Sequence, residues 1–200
     1  KLSASDLEMG MFAKAVGIQA DVIGTADIEA TFGGVLTNPS ADVTVSGHNG
    51  GVQGSTFDTL DGSFHLKNGL ITVDDFLVKK MAGDKTYQAS AKGIIPSRAI
   101  FADKNEQLDD IEQIQLTVSL DQADLSLLPT VSKQVDWAVG ATTGNLKVHG
   151  TLAHPLIDGT VGLTNGAVKW KALEKPITDM NAKITFAGSN VTLQDFSGKM

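Results

Sequence analysis

The chain has 200 residues, a formal net charge of −7, 42% hydrophobic residues, 21 glycines and no cysteine. The ordinary apolar fraction argues against disorder, and the negative net charge argues against nucleic acid as a partner. The lack of cysteine excludes disulfides and thiolate metal sites, and no stretch approaches the roughly 18 apolar residues of a membrane-spanning helix.

The first segment, residues 2–23, has no strand alternation. Ser5 or Asp6 is placed to cap a short helix running towards Val16, because either side chain can accept hydrogen bonds from free backbone N–H groups. From Gly24 onward apolar and polar residues alternate, which is typical of strands with one dry face and one wet face. The apolar positions of these strands are Ala26, Ile28, Ala30, Phe32, Ala41, Val43, Val45, Leu60, Gly62, Phe64, Leu66, Ile71 and Val73.

Turn signals separate the predicted strands of this first part. Asn-Gly between alternating runs is a strong short-range hairpin signal, and Gly-rich or Asn-Pro pairs also favour turns. The predicted breaks are Gly33-Gly34, Asn38-Pro39, residues 48–51 and Asn68-Gly69.

The second part of the chain has the same character. Residues 102–112 are densely charged and predict an exposed loop, and a clean alternating strand follows from Ile114 to Leu120. Asp124 is placed to cap a second short helix. Residues 144–170 predict a small β-meander, with a break at His154-Pro155 and a turn at Asn165-Gly166.

The two parts are related by a repeat. Pro39 and Pro155, Asp42 and Asp158, and the pairs Asn49-Gly50 and Asn165-Gly166 are each 116 residues apart, while Asp6-Leu7 and Asp124-Leu125 are 118 apart. Five apolar residues recur at a spacing of 120, from Leu60 and Met180 to Phe76 and Phe196. We therefore expect two repeat units, 1–120 and an incomplete 121–200, each starting with a short helix. The first residue, Lys1, and the unfinished final pattern predict a piece of a longer protein.

Each unit offers a one-sided sheet whose dry face needs a cover. Stacked repeats can share one continuous core, and a two-layer sandwich is the alternative, although sandwiches usually carry larger aromatic residues inside. The dry positions here are mainly Val, Ile, Leu, Ala and Gly, which would let a strongly curved sheet fold over and leave room inside. A thin closed core remains the other possibility.

The motifs resemble a known family of bacterial envelope proteins. Residues 144–166 read G-N-L-K-V-H-G-T-L-A-H-P-L-I-D-G-T-V-G-L-T-N-G, and are followed by I-T-D-M-N-A-K-I-T-F at 177–186 and G-S-N-V-T-L-Q-D-F at 188–196. Together with D-L-S-L-L-P at 124–129, this ordered set resembles the repeat of the TamB family, the translocation and assembly module subunits within the AsmA-like bridge-type lipid transfer proteins. The resemblance is strongest from about residue 113 to 200.

The resemblance implies a mainly β fold, a curved antiparallel sheet folded into an open trough lined with apolar side chains. It implies a periplasmic part of an inner-membrane-anchored protein that conducts phospholipids between the inner and outer membranes and contributes to outer-membrane biogenesis. Phospholipid acyl chains are the expected partner. An Omp85-type outer-membrane partner is expected for the full-length protein, though not through this piece of it.

The residues expected to line such a groove are the larger apolar ones on the dry side. Ordinary core packing is the alternative interpretation for each of them. They are Ile28, Phe32, Val43, Val45, Phe64, Leu66, Ile71, Val73, Leu116, Val118, Val148, Val161, Leu163, Trp170, Ile184 and Phe186.

Other functions have less support in the sequence. A chaperone or scaffold that pairs its strand edges with nascent outer-membrane strands is the second hypothesis, and a purely structural stalk is the third. The four histidines lack metal-site spacings, the carboxylates at 106–112 do not form an EF-hand loop, and no motif positions a nucleophile. We therefore predict no enzyme activity, no metal site and no cofactor.

Overall fold

The protein is mainly β and consists of one antiparallel sheet. The computed structural model describes residues 1–15, 21–52, 55–98, 113–127, 134–151 and 154–200. The sheet has eleven strands whose spatial order is their chain order, with β1 and β11 at its two edges, so it is open. The strands are β1 (Leu2–Glu8), β2 (Val22–Val35), β3 (Asn38–Val52), β4 (Ser55–Lys67), β5 (Leu70–Ala82), β6 (Lys85–Pro96), β7 (Ile114–Asp124), β8 (Val135–Gly150), β9 (Pro155–Trp170), β10 (Ile177–Gly188) and β11 (Asn190–Lys199).

The expectation of one short helix per repeat is not supported. A seven-residue helix, α1 (Met9–Ala15), follows β1, but the corresponding place after β7 holds the 3-10 turn Leu125–Leu127 in the part of the chain that is described. The remainder of the predicted second helix and the charged loop at 102–112 lie outside the described residues.

The predicted first helix also starts too early. Residues at its beginning form β1, which pairs with β2. The ladder shifts register between Ala4 and Leu7, and Asp6 has a φ of 55° there. This bulge adds a residue to β1 and breaks its alternation, which is why the sequence pattern did not indicate a strand.

The turn predicted at Asn165-Gly166 is wrong, and so is the one at residues 48–51. Both segments lie inside long strands, β9 and β3. Asn165 has a φ of 50° and faces a register shift around Gly140, whose φ is 137°. Asn-Gly supplies the left-handed conformation that a tight hairpin needs, but a β-bulge uses the same conformation.

Of the other predicted turns, Asn68-Gly69 joins β4 to β5 as expected, whereas Gly33-Gly34 lies inside β2. Ser189 joins β10 to β11. At the tip between β2 and β3 the turn is formed by Leu36 and Thr37, and Asn38-Pro39 already belongs to β3.

The repeat spacing recurs in the backbone. Four pairs of positions with positive φ lie 116 residues apart: Asp6 (55°) and Gln122 (51°), Gly24 (107°) and Gly140 (137°), Gly34 (81°) and Gly150 (87°), and Asn49 (48°) and Asn165 (50°). The proposed division at residue 120 falls within β7, so both predicted units belong to the same sheet. The division itself stays a prediction.

The ladder register places a continuous set of apolar residues on one face of the sheet, which we call the apolar face. Directly opposed residues of antiparallel strands project from the same face, so partners can be followed from strand to strand. The longest rows contain only apolar residues and glycine. Two of them are Ala4, Ile28, Val45, Gly62, Phe76, Ala91, Val118, Leu146, Gly159, Phe186 and Val191, and Leu7, Ala26, Gly47, Leu60, Val78, Ala89, Leu120, Gly144, Val161, Ile184 and Leu193.

The opposite face is polar. Ser46 Oγ donates to Asp61 Oδ1 at 3.0 Å, and Ser119 Oγ donates to Asn145 Oδ1 at 2.8 Å, both across neighbouring strands. One polar row runs across ten strands and includes a single large apolar residue, Leu77. Its members are Asp27, Ser46, Asp61, Leu77, Ser90, Ser119, Asn145, Thr160, Thr185 and Thr192.

The bulge at Gly140 gives the first testable prediction. A Cβ at Gly140 would lie 2.7 Å from the Gly166 Cα, and its φ of 137° is unfavourable for any other residue. We expect Gly140→Ala to lower the free energy of unfolding by about 1–3 kcal/mol. Gly162→Ala is the matched control on a neighbouring strand, because the nearest atom to its added Cβ is Thr143 Oγ1 at 3.5 Å. Urea unfolding of both variants measures the difference, and equal losses would contradict the bulge assignment.

Candidate functional site

The sixteen predicted groove residues all lie on the apolar face. Four of them, Ile28, Val73, Val161 and Leu163, are buried, and Phe32 near the β2–β3 tip is 65% exposed. The other eleven are half-buried: Val43, Val45, Phe64, Leu66, Ile71, Leu116, Val118, Val148, Trp170, Ile184 and Phe186. A single face therefore combines them, and most of them keep part of their surface accessible.

The face also includes apolar residues that the sixteen candidates omitted. Alternation placed most of them on strands, but only the ladder register shows that they complete the rows. Phe76 lies beyond a register shift in β5. Strict alternation counted from Val73 would place Phe76 on the polar face, but the shift returns it to the apolar face. Among the omitted residues are Leu60, Phe76, Val78, Leu120, Leu146 and Ile157.

Helix α1 covers part of the apolar face in the first unit. Ala13 of this helix is buried, and Met9 is half-buried. Between α1 and strands β1–β5 lies a cavity of about 230 Å³, which we call the α1 cavity. Its lining is wholly apolar and includes Leu7, Met9, Ala13, Ile28, Leu60 and Phe64.

The 3-10 turn holds a polar cluster against the same face. Lys80 lies two residues after Val78 on β5 and therefore projects from the same face. Its Nζ donates to Asp124 Oδ2 at 2.6 Å and to Ser126 Oγ at 3.3 Å. Ser55 Oγ at the start of β4 donates to the Ser126 carbonyl at 2.5 Å. These contacts join β4 to the end of β7 across the two strands between them.

The Asp124 carboxylate is the electrostatic centre of this cluster. Its Oδ1 accepts from the Ser126 N–H at 2.9 Å, so Asp124 does cap the turn that follows it. Burial disfavours the ionised carboxylate, but the hydrogen bonds from Lys80 and Ser126 outweigh burial. The pKa of Asp124 therefore lies below its ordinary value.

The second unit has a packed cluster at the corresponding level of the face. Val168 is 1% exposed and packs with Leu163, Met180 and Ala182, with Leu125 of the 3-10 turn against them. Thr142 is a buried polar residue beside this cluster, and its Oγ1 donates to the Ala123 carbonyl at 2.9 Å. The 3-10 turn therefore covers the face here as α1 does in the first unit.

The histidines that the structure pairs lie on the polar face. His149 Nε2 is 2.8 Å from Asp158 Oδ2, and His65 contacts Asp42, the residue 116 positions before Asp158. The Gly188 N–H and His149 hydrogen-bond Asp158 and hold its pKa below the ordinary range. Within the described residues no three His, Cys, Asp or Glu side chains group into a metal-binding set.

The described residues contain no helix long and apolar enough to cross a membrane.

Comparisons with known proteins give little outside support for an identity. Neither known protein families nor solved structures match the chain. Among curated proteins, Protein TIC236, chloroplastic, of Arabidopsis thaliana is 21% identical over 91 residues. The aligned region is 46% of this chain but 4% of that protein. The match thus spans only a small part of that protein's length, and the resemblance to the TamB family stays an expectation.

The polar cluster gives the second testable prediction. Asp124→Asn removes the charge partner of Lys80, whose side chain is 27% exposed, so we expect a loss of about 1–3 kcal/mol in unfolding free energy near pH 7. Because the pKa of Asp124 is lowered in the folded state, its contribution is present above the ordinary pKa of about 4 and is lost as the pH falls through the folded value. The difference between wild type and variant should therefore shrink in acid.

Asp179→Asn serves as the control for this prediction. Asp179 and Lys199 form an ion pair at 3.0 Å, but their side chains are 64% and 79% exposed, and such pairs contribute little. Chemical denaturation at several pH values measures both variants. A loss for Asp124→Asn that does not change with pH would contradict the electrostatic explanation.

Proposed function

We propose that the apolar face of this sheet binds acyl chains and conducts phospholipids, as a segment of a TamB-like protein that spans the periplasm between the inner and outer membranes. The observation that carries the proposal is the continuity of the apolar rows from β1 to β11 in an open sheet. No reactive group is needed for such a function. An inner-membrane anchor and an Omp85-type partner belong to the proposal for the full-length protein only.

The length of the rows suits lipid chains. Eleven strands at about 4.8 Å spacing give a face roughly 48 Å long. The hydrocarbon core of a bilayer is about 30 Å thick, so the chains of one leaflet take up about 15 Å. The face is therefore longer than the tails of one phospholipid, and a chain could move along it without leaving apolar contact.

The contacts across β4 and β7 support a trough shape. In a flat sheet these strands would be about 14 Å apart, because two strands lie between them. Ser126 is two residues beyond the end of β7 and reaches Ser55, although two residues span at most about 7 Å. We infer that the sheet curls towards its apolar face here, which would leave its interior accessible from one open side.

The hydrophobic effect would hold an acyl chain on the apolar face. Each CH₂ group removed from water contributes about 0.8 kcal/mol, so even part of an acyl chain is held with several kcal/mol. Half-buried residues such as Val148 and Ile184 can provide this contact, while the headgroup stays in water at the open side. The rows also hold small residues such as Ala91, whose short side chain occupies little of the face.

The second hypothesis, strand pairing with nascent outer-membrane proteins, depends on the sheet edges. β11 is an edge in the described chain and is exposed along its whole length. In a longer protein a following strand would cover that edge. The edges therefore carry less weight than the apolar rows, which do not depend on where the chain stops.

Acyl-chain binding is tested with adjacent substitutions on opposite faces of β10. Ile184 lies in an apolar row and Thr185 in the polar row, so Ile184→Asp places a charge on the proposed lipid surface and Thr185→Asp does not. We expect Ile184→Asp to weaken the binding of a fluorescent fatty acid at least tenfold, which corresponds to about 1.4 kcal/mol. Thr185→Asp should bind like wild type.

Circular dichroism and a urea midpoint for each variant establish that both remain folded. A wild-type protein that binds no fatty acid, or two variants that bind equally well, would contradict the proposed function.

A further inference from the structure

The two units differ at one position of the apolar face. Gly47 lies between Ala26 and Leu60 in the ladder, next to α1. The residue 116 positions later is Leu163, at the spacing that relates the two Asn-Gly pairs. Leu163 is 6% exposed within the packed cluster of the second unit. The first unit thus has a hydrogen atom where the second has a whole side chain.

Met9 and Leu60 pack over Gly47 at the side of the α1 cavity. A Cβ added at Gly47 would meet Leu60 Cβ and Met9 Sδ, both at 3.4 Å, and these two residues line the cavity. The φ of Gly47 is not in the left-handed region, so a larger residue is compatible with the backbone. Gly47 is therefore needed because a side chain here would crowd Met9 and Leu60, and not because of its backbone conformation.

We propose that the α1 cavity binds the methyl end of a single acyl chain. An apolar cavity of about 150 Å³ already accepts benzene, and the α1 cavity is larger at about 230 Å³. That volume suits the end of one chain. The inference rests on the proposed function for the nature of the ligand, but the cavity is a separate site.

The lining fixes the orientation of the bound chain. All the residues around the cavity are apolar, so a carboxylate or phosphate would be buried there without a hydrogen-bond partner. Val45, Phe64 and Phe76 belong both to the lining and to the apolar rows that continue beyond α1. A chain held by its methyl end can therefore extend along the face, with its polar end in water.

Methionine methyl signals provide natural probes for this orientation. Met9 lines the α1 cavity, and Met180 lies in the packed cluster of the second unit. Stearate carrying a nitroxide near its methyl end should broaden the Met9 methyl resonance and leave that of Met180 sharp. Stearate labelled near its carboxylate should broaden Met9 less.

Gly47→Leu copies the second unit, and its side chain has to displace Met9 towards the cavity and so reduce the cavity volume. We expect it to reduce the broadening of the Met9 methyl resonance by methyl-end-labelled stearate at least tenfold. Gly47→Ala is a smaller change for the case that the leucine variant does not fold, and we expect it to have an intermediate effect. Gly162→Leu, on the polar face opposite Thr143 and Lys183, is the matched control and should behave like wild type.

The outcomes separate this proposal from the proposed function. Broadening of Met9 that disappears in Gly47→Leu supports the cavity site. A sharp Met9 signal together with broadening of the Ile184 methyl groups overturns the cavity site and leaves acyl binding on the face intact. Broadening of Met9 that persists in Gly47→Leu also overturns it, and an absence of any broadening contradicts both proposals.

Discussion

The apolar face of a single sheet is the constraint on which the rest of the structure depends. One layer of strands satisfies its backbone hydrogen bonds in the ladder but leaves one dry face without a second layer. In this protein short segments provide part of the cover, namely α1 and the 3-10 turn after β7. Most residues of the face, such as Val148 and Phe186, consequently remain half-buried. Any apolar ligand that covers such a face removes apolar surface from water, and its binding is therefore favourable.

The two units meet this constraint in different ways. The second packs Leu163 and Val168 into a closed cluster, whereas the first has Gly47 and a cavity under its helix. Between them Lys80 brings a charge onto the apolar side, where Asp124 neutralises it and lowers the cost of its partial burial. Similar backbones therefore carry interiors of different size, and an apolar ligand would meet different environments along one sheet.

Much of the fold follows from the period-two pattern, because strands with one dry face must alternate. The pattern failed at bulges. Asp6 disrupted the alternation of β1, and Asn49 and Asn165 carry the signal of a hairpin within continuous strands. Bulges and tight hairpins use the same left-handed residues, so the local sequence does not distinguish them. The linear strand order also depends on pairing between strands that no local pattern encodes.

The candidate site was predictable in kind but not in detail. Alternation placed residues such as Val118 and Ile184 on one face, and that placement agrees with the register. The α1 cavity could not be predicted, because it depends on Gly47 lying between Ala26 and Leu60 while α1 covers them. Strands β2, β3 and β4 meet α1 at this point, and only the pairing of the strands shows that Met9 packs over a glycine there.

We propose that lipid tails contact one face of the sheet along its length. The most direct test is to irradiate the purified protein with a phospholipid whose acyl chain carries a photoreactive group, and to map the crosslinked residues by mass spectrometry. We expect crosslinks in the apolar rows of both units, at residues such as Phe64, Val118 and Ile184, and none in the row that contains Thr160 and Thr185. Crosslinks distributed equally over both faces, or none at all, would contradict it.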